Sequence, residues 1–261
     1  MGWEYSGNDN MGNTMTGICL ATALCDPEGE LLDKARYHWM RLSDHFDSIA
    51  IHVTTNTHDD WFGFLESKGI PIATAAEGFD SIGLHRRRSL ALALESSLHA
   101  RIFYADIDHV LRWAERYSKD LDRTLKQIFR WDCLVVGRSQ SVFAIAPRRL
   151  RDTESVVNHI YSLVTGDQWD LMMAARGLSP RAARLIVDRC EENTLGNDVA
   201  WPLFCRSNGL SVGYTESEGL RYETNRVYAT DGQDSQDSDP QAWMLRVKAA
   251  AQHIEAMRSF L

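Results

Sequence analysis

Two carboxylates one residue apart, Asp106 and Asp108, follow directly on the apolar run Ile102-Phe103-Tyr104. A strand of that composition is buried. Carboxylates at its end cannot share its packing, because desolvating an unpaired charge is costly. They call for water, a cation or a metal. A hard divalent ion such as Mg²⁺ takes one or two carboxylates together with phosphate oxygens, so the Asp-x-Asp pair is a candidate metal site. The competing structural role is a cap for the helix that starts near His109.

The elements that must position this pair are written in the hydrophobic pattern. Residues 16–24 and 48–53 read as strands, with a helix over 31–45 between them. A short helix ends at Gly69, and 70–75 is a third strand before a helix over 82–99 that carries Arg86-Arg87-Arg88 in its first turns. The strand before Asp106 is the fourth. Alternating strands and helices predict an α/β fold, a mostly parallel sheet flanked by helices. Ligands bind beyond the carboxyl ends of such strands, which gathers Thr22, Thr54, Glu77, Asp106 and Asp108 on one edge. Helical character continues to about Phe129. Residues 133–137 and 142–146 then read as a strand pair, 149–164, 169–176, 180–190 and 199–206 as helices, and 210–215 as a last strand.

The chain has 261 residues and a net charge of -8, which argues against broad nucleic-acid binding. No apolar run approaches the roughly 20 residues of a membrane span. Five cysteines without CxxC spacing are read as reduced thiols, in keeping with a cytoplasmic protein. Residues 1–15, rich in Gly and Asn, read as a flexible tail, 16–230 as the main domain, and 231–240, with four aspartates, as an acidic mobile segment. Residues 241–261 form a terminal amphipathic helix available to pack on the body or to build a homo-oligomer. No Walker loop, GxGxxG, HExxH or GxSxG is present.

From Ile82 onward the order of features resembles the GT-A glycosyltransferases of the nucleotide-diphospho-sugar transferase superfamily, in particular the large inverting family 2. An arginine-bearing helix (Arg86–Arg88) precedes an apolar strand ending in Asp-x-Asp, and an Asp–helix–Gly–strand unit follows at Asp198, Gly209 and 210–214. The resemblance implies a GT-A-like catalytic domain and an inverting hexosyltransferase that moves sugar from a nucleoside-diphosphate sugar to an unidentified hydroxyl acceptor. It implies Mn²⁺ or Mg²⁺ on Asp108, with Asp106 bound through water or touching ribose. Thr22, Thr54, Glu77, Arg86, Arg87 and Asp106 would be the nucleotide contacts, since guanidinium forks match phosphate oxygens. Asp198 would be the base that deprotonates the acceptor, although Asn197 stands where the family usually has Glu. Trp169 and Trp201 are candidate sugar platforms. Two other readings are a non-catalytic binding protein of the same fold and a haloacid-dehalogenase-like phosphatase, which also carries Asp-x-Asp after an apolar strand.

Overall fold

The computed structural model describes residues 17–96, 100–222 and 234–261. The expected tail over 1–15 lies outside them. Seven strands form one sheet in the order β3-β2-β1-β4-β6-β5-β7: β1 (Ile18–Leu24), β2 (Ser48–Thr54), β3 (Ile72–Ala75), β4 (Arg101–Tyr104), β5 (Cys133–Arg138), β6 (Ala175–Leu178) and β7 (Val212–Ser217). The first four run parallel, β6 is antiparallel to both β4 and β5, and β5 and β7 are parallel. The carboxyl ends of β4, β5 and β7 therefore share an edge with the start of β6.

Helices α1 (Leu32–Ser43), α2 (Asp60–Ser67), α3 (Ile82–Ser96) and α4 (Ile107–Arg116) alternate with the first strands. They are followed by α5 (Ser118–Gln127), α6 (Gln140–Ala144), α7 (Arg148–Thr165), α8 (Pro180–Arg189), α9 (Asn197–Ser207) and α10 (Pro240–Arg258). Two apolar layers sandwich the sheet. One joins α1, α2, α4 and α5 to one face through Leu20, Phe103 and Trp113, and the other joins α3, α8, α9 and α10 to the opposite face through Tyr104, Val135 and Trp201. No helix among the described residues is long and apolar enough to cross a membrane.

Three expectations change. Residues 142–146 are not a strand: Ser139 adopts extended backbone and its hydroxyl accepts from the Val142 amide, capping the short helix α6. Residues 169–176 are not a helix. Ala175–Leu178 is drawn into the sheet between β4 and β5, and ladder hydrogen bonds on both sides outweigh the weak local preference of Ala-Arg-Gly-Leu. Third, the acidic stretch expected to be mobile has a built part. Residues 231–233 lie outside the described residues, but from Asp234 the chain forms a 3-10 turn, and the buried Arg149 holds both Asp234 (2.9 Å) and Asp237 (2.9 Å). Helix α10 packs its Ala249, Ala250, His253, Ala256 and Met257 face inward and leaves Met244, Leu245 and Val247 exposed.

Candidate active site

Asp106 occupies the N-cap position of α4 but does not cap it. Its carboxylate is taken by Arg86, whose Nη2 donates to Oδ2 at 2.7 Å and whose Nε donates to Oδ1 at 3.3 Å, and by the Tyr104 hydroxyl at 2.5 Å. Arg86 is 4% exposed, and its Nη1 donates to Asn197 Oδ1 (3.0 Å) and Asp198 Oδ1 (3.1 Å). One guanidinium thus ties the end of β4 to the first turn of α9. Burial opposes its charge, but Asp106 and Asp198 more than restore it and raise its pKa well above the usual arginine value.

Close backbone approach makes this possible. A Cβ on Gly83 would sit 2.2 Å from the Thr194 carbonyl, so α3 can press against the turn that leads into α9 only without a side chain there. A Cβ on Gly196 would lie 2.7 Å from both Ala256 Cβ and the Gln252 carbonyl, which lets α9 start against α10.

Asp198 is 2% exposed and faces two arginines and a histidine. Besides Arg86, it faces His253 Nε2 at 3.2 Å, and Arg176 lies at 3.9 Å. The other His253 nitrogen meets the Ala249 carbonyl at 2.6 Å. Pro202 sits inside α9 and cannot donate to the carbonyl four residues earlier. That carbonyl belongs to Asp198, and Arg176 Nη2 donates to it at 2.7 Å. Burial would raise the Asp198 pKa, but Arg86 first, then His253 and Arg176, hold it at about 2. These pairs make Asp198 an anchor for Arg86 and, through it, Asp106, and they hold its basicity below what a general base uses.

Asp108 lies on the other side of the turn, its side chain 52% exposed, with His109 Nε2 3.8 Å away. His109 Nδ1 is buried with no hydrogen-bond partner. Arg86, Asp106, His109, Glu154, Asp198, Tyr222, Arg246 and His253 line a cavity of about 260 Å³, closed below by Ile82, Leu150, Met172, Met173 and Leu195. The remaining candidates scatter. Thr22 is fully buried two residues before the end of β1, so it is a core residue and not an edge contact. Thr54 does reach the end of β2, where its hydroxyl meets that of Thr57 at 3.0 Å. Glu77 is exposed and accepts a hydrogen bond from the Asn56 amide. Arg87 turns away from the cavity and binds the Cys190 carbonyl and Asn193 Oδ1 (2.7 Å), tying α3 to the loop after α8. Trp201 is a fully buried core ring set edge-on to Tyr104, not a platform.

Sequence reasoning did not find His253, Arg176 or Glu154. It also missed the buried ring pair His52 and His85, whose centroids are 5.0 Å apart beneath the β2–β3 edge. Burial, then repulsion from His85 and Arg88, lowers the His52 pKa to about 4.

No family model matches the chain, and no curated protein matches it either. Solved structures do. Glucosyl-3-phosphoglycerate synthase from Mycobacterium tuberculosis, in complex with Mg²⁺ and uridine diphosphate, aligns at a TM-score of 0.60 with 13% identity, over 94% of this chain and 79% of that one. The same enzyme with Mn²⁺, uridine diphosphate and phosphoglyceric acid aligns at 0.58 with 12% identity, over 94% and 78%. The fold is that of the GT-A nucleotide-diphospho-sugar transferases. In this fold Asp106 and Asp108 follow the fourth strand, Asp106 at the N-cap of α4 and Asp108 in its first turn.

Proposed function

We propose that the protein is a glycosyltransferase that moves a sugar from a nucleoside-diphosphate sugar to an acceptor hydroxyl. The observation that carries this reading is an Asp-x-Asp following β4 of a GT-A sheet, whose first member Asp106 lines a cavity backed by a fully paired arginine. The neighbouring enzymes bind uridine diphosphate with Mn²⁺ or Mg²⁺, which makes uridine-diphosphate sugars the first donors to try.

Among the described residues no group of three or more His, Cys, Asp or Glu side chains is set to hold a metal, so a divalent ion would rest on one or two carboxylates and on phosphate oxygens of the donor. Asp108 offers a half-exposed carboxylate, and His109 Nδ1 beside it is an orphaned buried nitrogen. Asp106 has part of its carboxylate surface open to the cavity. A bound ion would act as a Lewis acid on the departing diphosphate. Arg86 holds Asp106 in place, and Arg246 and Tyr222 face the space where the diphosphate and sugar would lie. Thr54 and Glu77, at the ends of β2 and β3, remain candidates for the nucleoside.

Asp198 lines the cavity but is held by Arg86, Arg176 and His253, which counts against it as the base that inversion needs. Transfer with retention suits the site better. There the acceptor oxygen bonds to the anomeric carbon on the face the diphosphate leaves, and the acceptor proton passes to the departing phosphate oxygen. Calorimetry or thermal shift with uridine diphosphate should show tighter binding with Mn²⁺ than with EDTA. NMR of the product anomer decides between retention and inversion. Binding equal in both conditions and unaffected by Asp108→Asn would remove the metal from the reading. Metal-dependent donor binding without turnover of any sugar nucleotide would point to a non-catalytic binding protein.

A further inference from the structure

A second cavity of about 430 Å³ opens on the same sheet edge, between α7, the loop before β6 and the ends of β5 and β7. It shares a wall with the first. Glu154 lines the first cavity and accepts a hydrogen bond from Arg138, which lines the second. Arg138 is 2% exposed and is neutralised from both sides. Asp170 takes its Nε at 2.7 Å and its Nη2 at 2.8 Å, while Glu154 takes Nη2 from across the wall. Burial opposes ionisation of Asp170, but Arg138 prevails and keeps it a carboxylate below the usual range.

The charge balance limits what fits here. Arg138 is the one arginine or lysine in the lining, and its charge is already spent on two carboxylates, with the exposed Glu216 nearby. A phosphate or carboxylate ligand would find no arginine or lysine in the lining that is not already paired with carboxylates, so its lost hydration would be poorly compensated. The rest of the lining is rich in hydrogen-bonding groups: Gln140, Ser155, Asn158, His159, Ser162 and Gln168. Its apolar part is aromatic. Trp169 stacks on Tyr214 with centroids 5.4 Å apart and planes 8° apart, and the Arg138 guanidinium lies over Phe143 at 4.7 Å. Arg138 Nη1 is buried without a hydrogen-bond partner, a donor still to be satisfied. Few polar groups among aromatic walls make a ligand site, and neutral amides beside aromatic rings suit hydroxyls and C–H faces.

We propose that this second cavity binds an uncharged polyhydroxylated ligand, a saccharide or glycoside. The binding stands on the cavity itself and not on the transferase reading. The phosphoglyceric acid bound by the neighbouring enzyme is the opposite class and serves as the control.

The test is calorimetry and saturation-transfer NMR on the full chain with glucose, mannose, maltose, trehalose and 3-phosphoglycerate, without donor. At least one neutral sugar should bind saturably and about tenfold more tightly than 3-phosphoglycerate. Ser155→Trp, at an exposed α7 position that lines the cavity, should weaken it by about tenfold or more while uridine diphosphate with Mn²⁺ binds as before. His159→Trp, one turn later, serves as a second blocking variant if the first misfolds. Binding of 3-phosphoglycerate as tight as the best sugar, absence of saturable sugar binding, or indifference to both tryptophans would overturn the proposal. Sugar binding blocked by tryptophan in a chain that binds no sugar nucleotide would uphold the subsite and bring down the transferase reading alone.

Discussion

Asp198 and Asp108 belong to one sheet edge and differ in almost everything else. Asp198 is enclosed by Arg86, Arg176 and His253, while Asp108 stands half in solvent beside His109. The enclosed carboxylate spends its charge on holding three elements together, α3, β6 and α10. The open one has charge to offer a ligand. In this molecule, burial with full pairing marks an acid that organises, and exposure at a strand end marks an acid that is available to bind.

The largest effect should come from the partner that Asp106 and the buried Asp198 share. Arg86→Leu leaves Asp106 and Asp198 without their main cation, and breaking a buried pair costs roughly 3–5 kcal/mol. Chemical denaturation would show it; a loss below about 1 kcal/mol would mean that the enclosed cluster contributes little.

Acid comes next. The folded pKa of Asp198 is depressed to about 2 from 3.8, so its contribution is present above the unfolded pKa and is lost as pH falls from about 4 through about 2. At roughly 1.4 kcal/mol for each pKa unit, about 2 kcal/mol is at stake. Asp198→Asn should flatten that part of the stability–pH curve, measured by urea denaturation at stepped pH.

Arg87→Ala removes a tether from α3 to the loop after α8 and should cost about 1 kcal/mol, with no change in nucleotide affinity. A loss of nucleotide binding in that variant would place Arg87 in the site after all. Asp108→Asn is the mildest for the fold, within about 0.5 kcal/mol, yet it should abolish the Mn²⁺ dependence of uridine diphosphate binding in calorimetry. Those two outcomes together separate available acid from organising acid.

The Asp-x-Asp strand end, the arginine helix and the parallel half of the sheet were legible because each is local: apolar runs, a carboxylate pair, a helical stripe. Strand β6 was not. Four residues, Ala-Arg-Gly-Leu, carry no alternation, and both of its pairing partners lie far away in sequence. Asp198 was legible as a residue and its pairing was not. Its partners come from positions 86, 176 and 253, and nothing in Gly-Asn-Asp-Val announces them. His253 had no signal at all, being a single polar residue on the inward face of a terminal helix. The second cavity assembles α7, the loop before β6 and two strand ends, so only its Trp169-Asp170 dipeptide could be noticed beforehand.

Pro202 looks like a flaw in α9 when helix propensity alone is considered, a penalty of about 3 kcal/mol relative to alanine. Its missing N–H is what leaves the Asp198 carbonyl open to Arg176. Pro202→Ala would give that oxygen a donor from its own helix and set it in competition with an arginine from β6. A repair that any propensity scale recommends would therefore loosen a cross-link between sheet and helix. Regularity within one element and cohesion between two are opposed at this single atom.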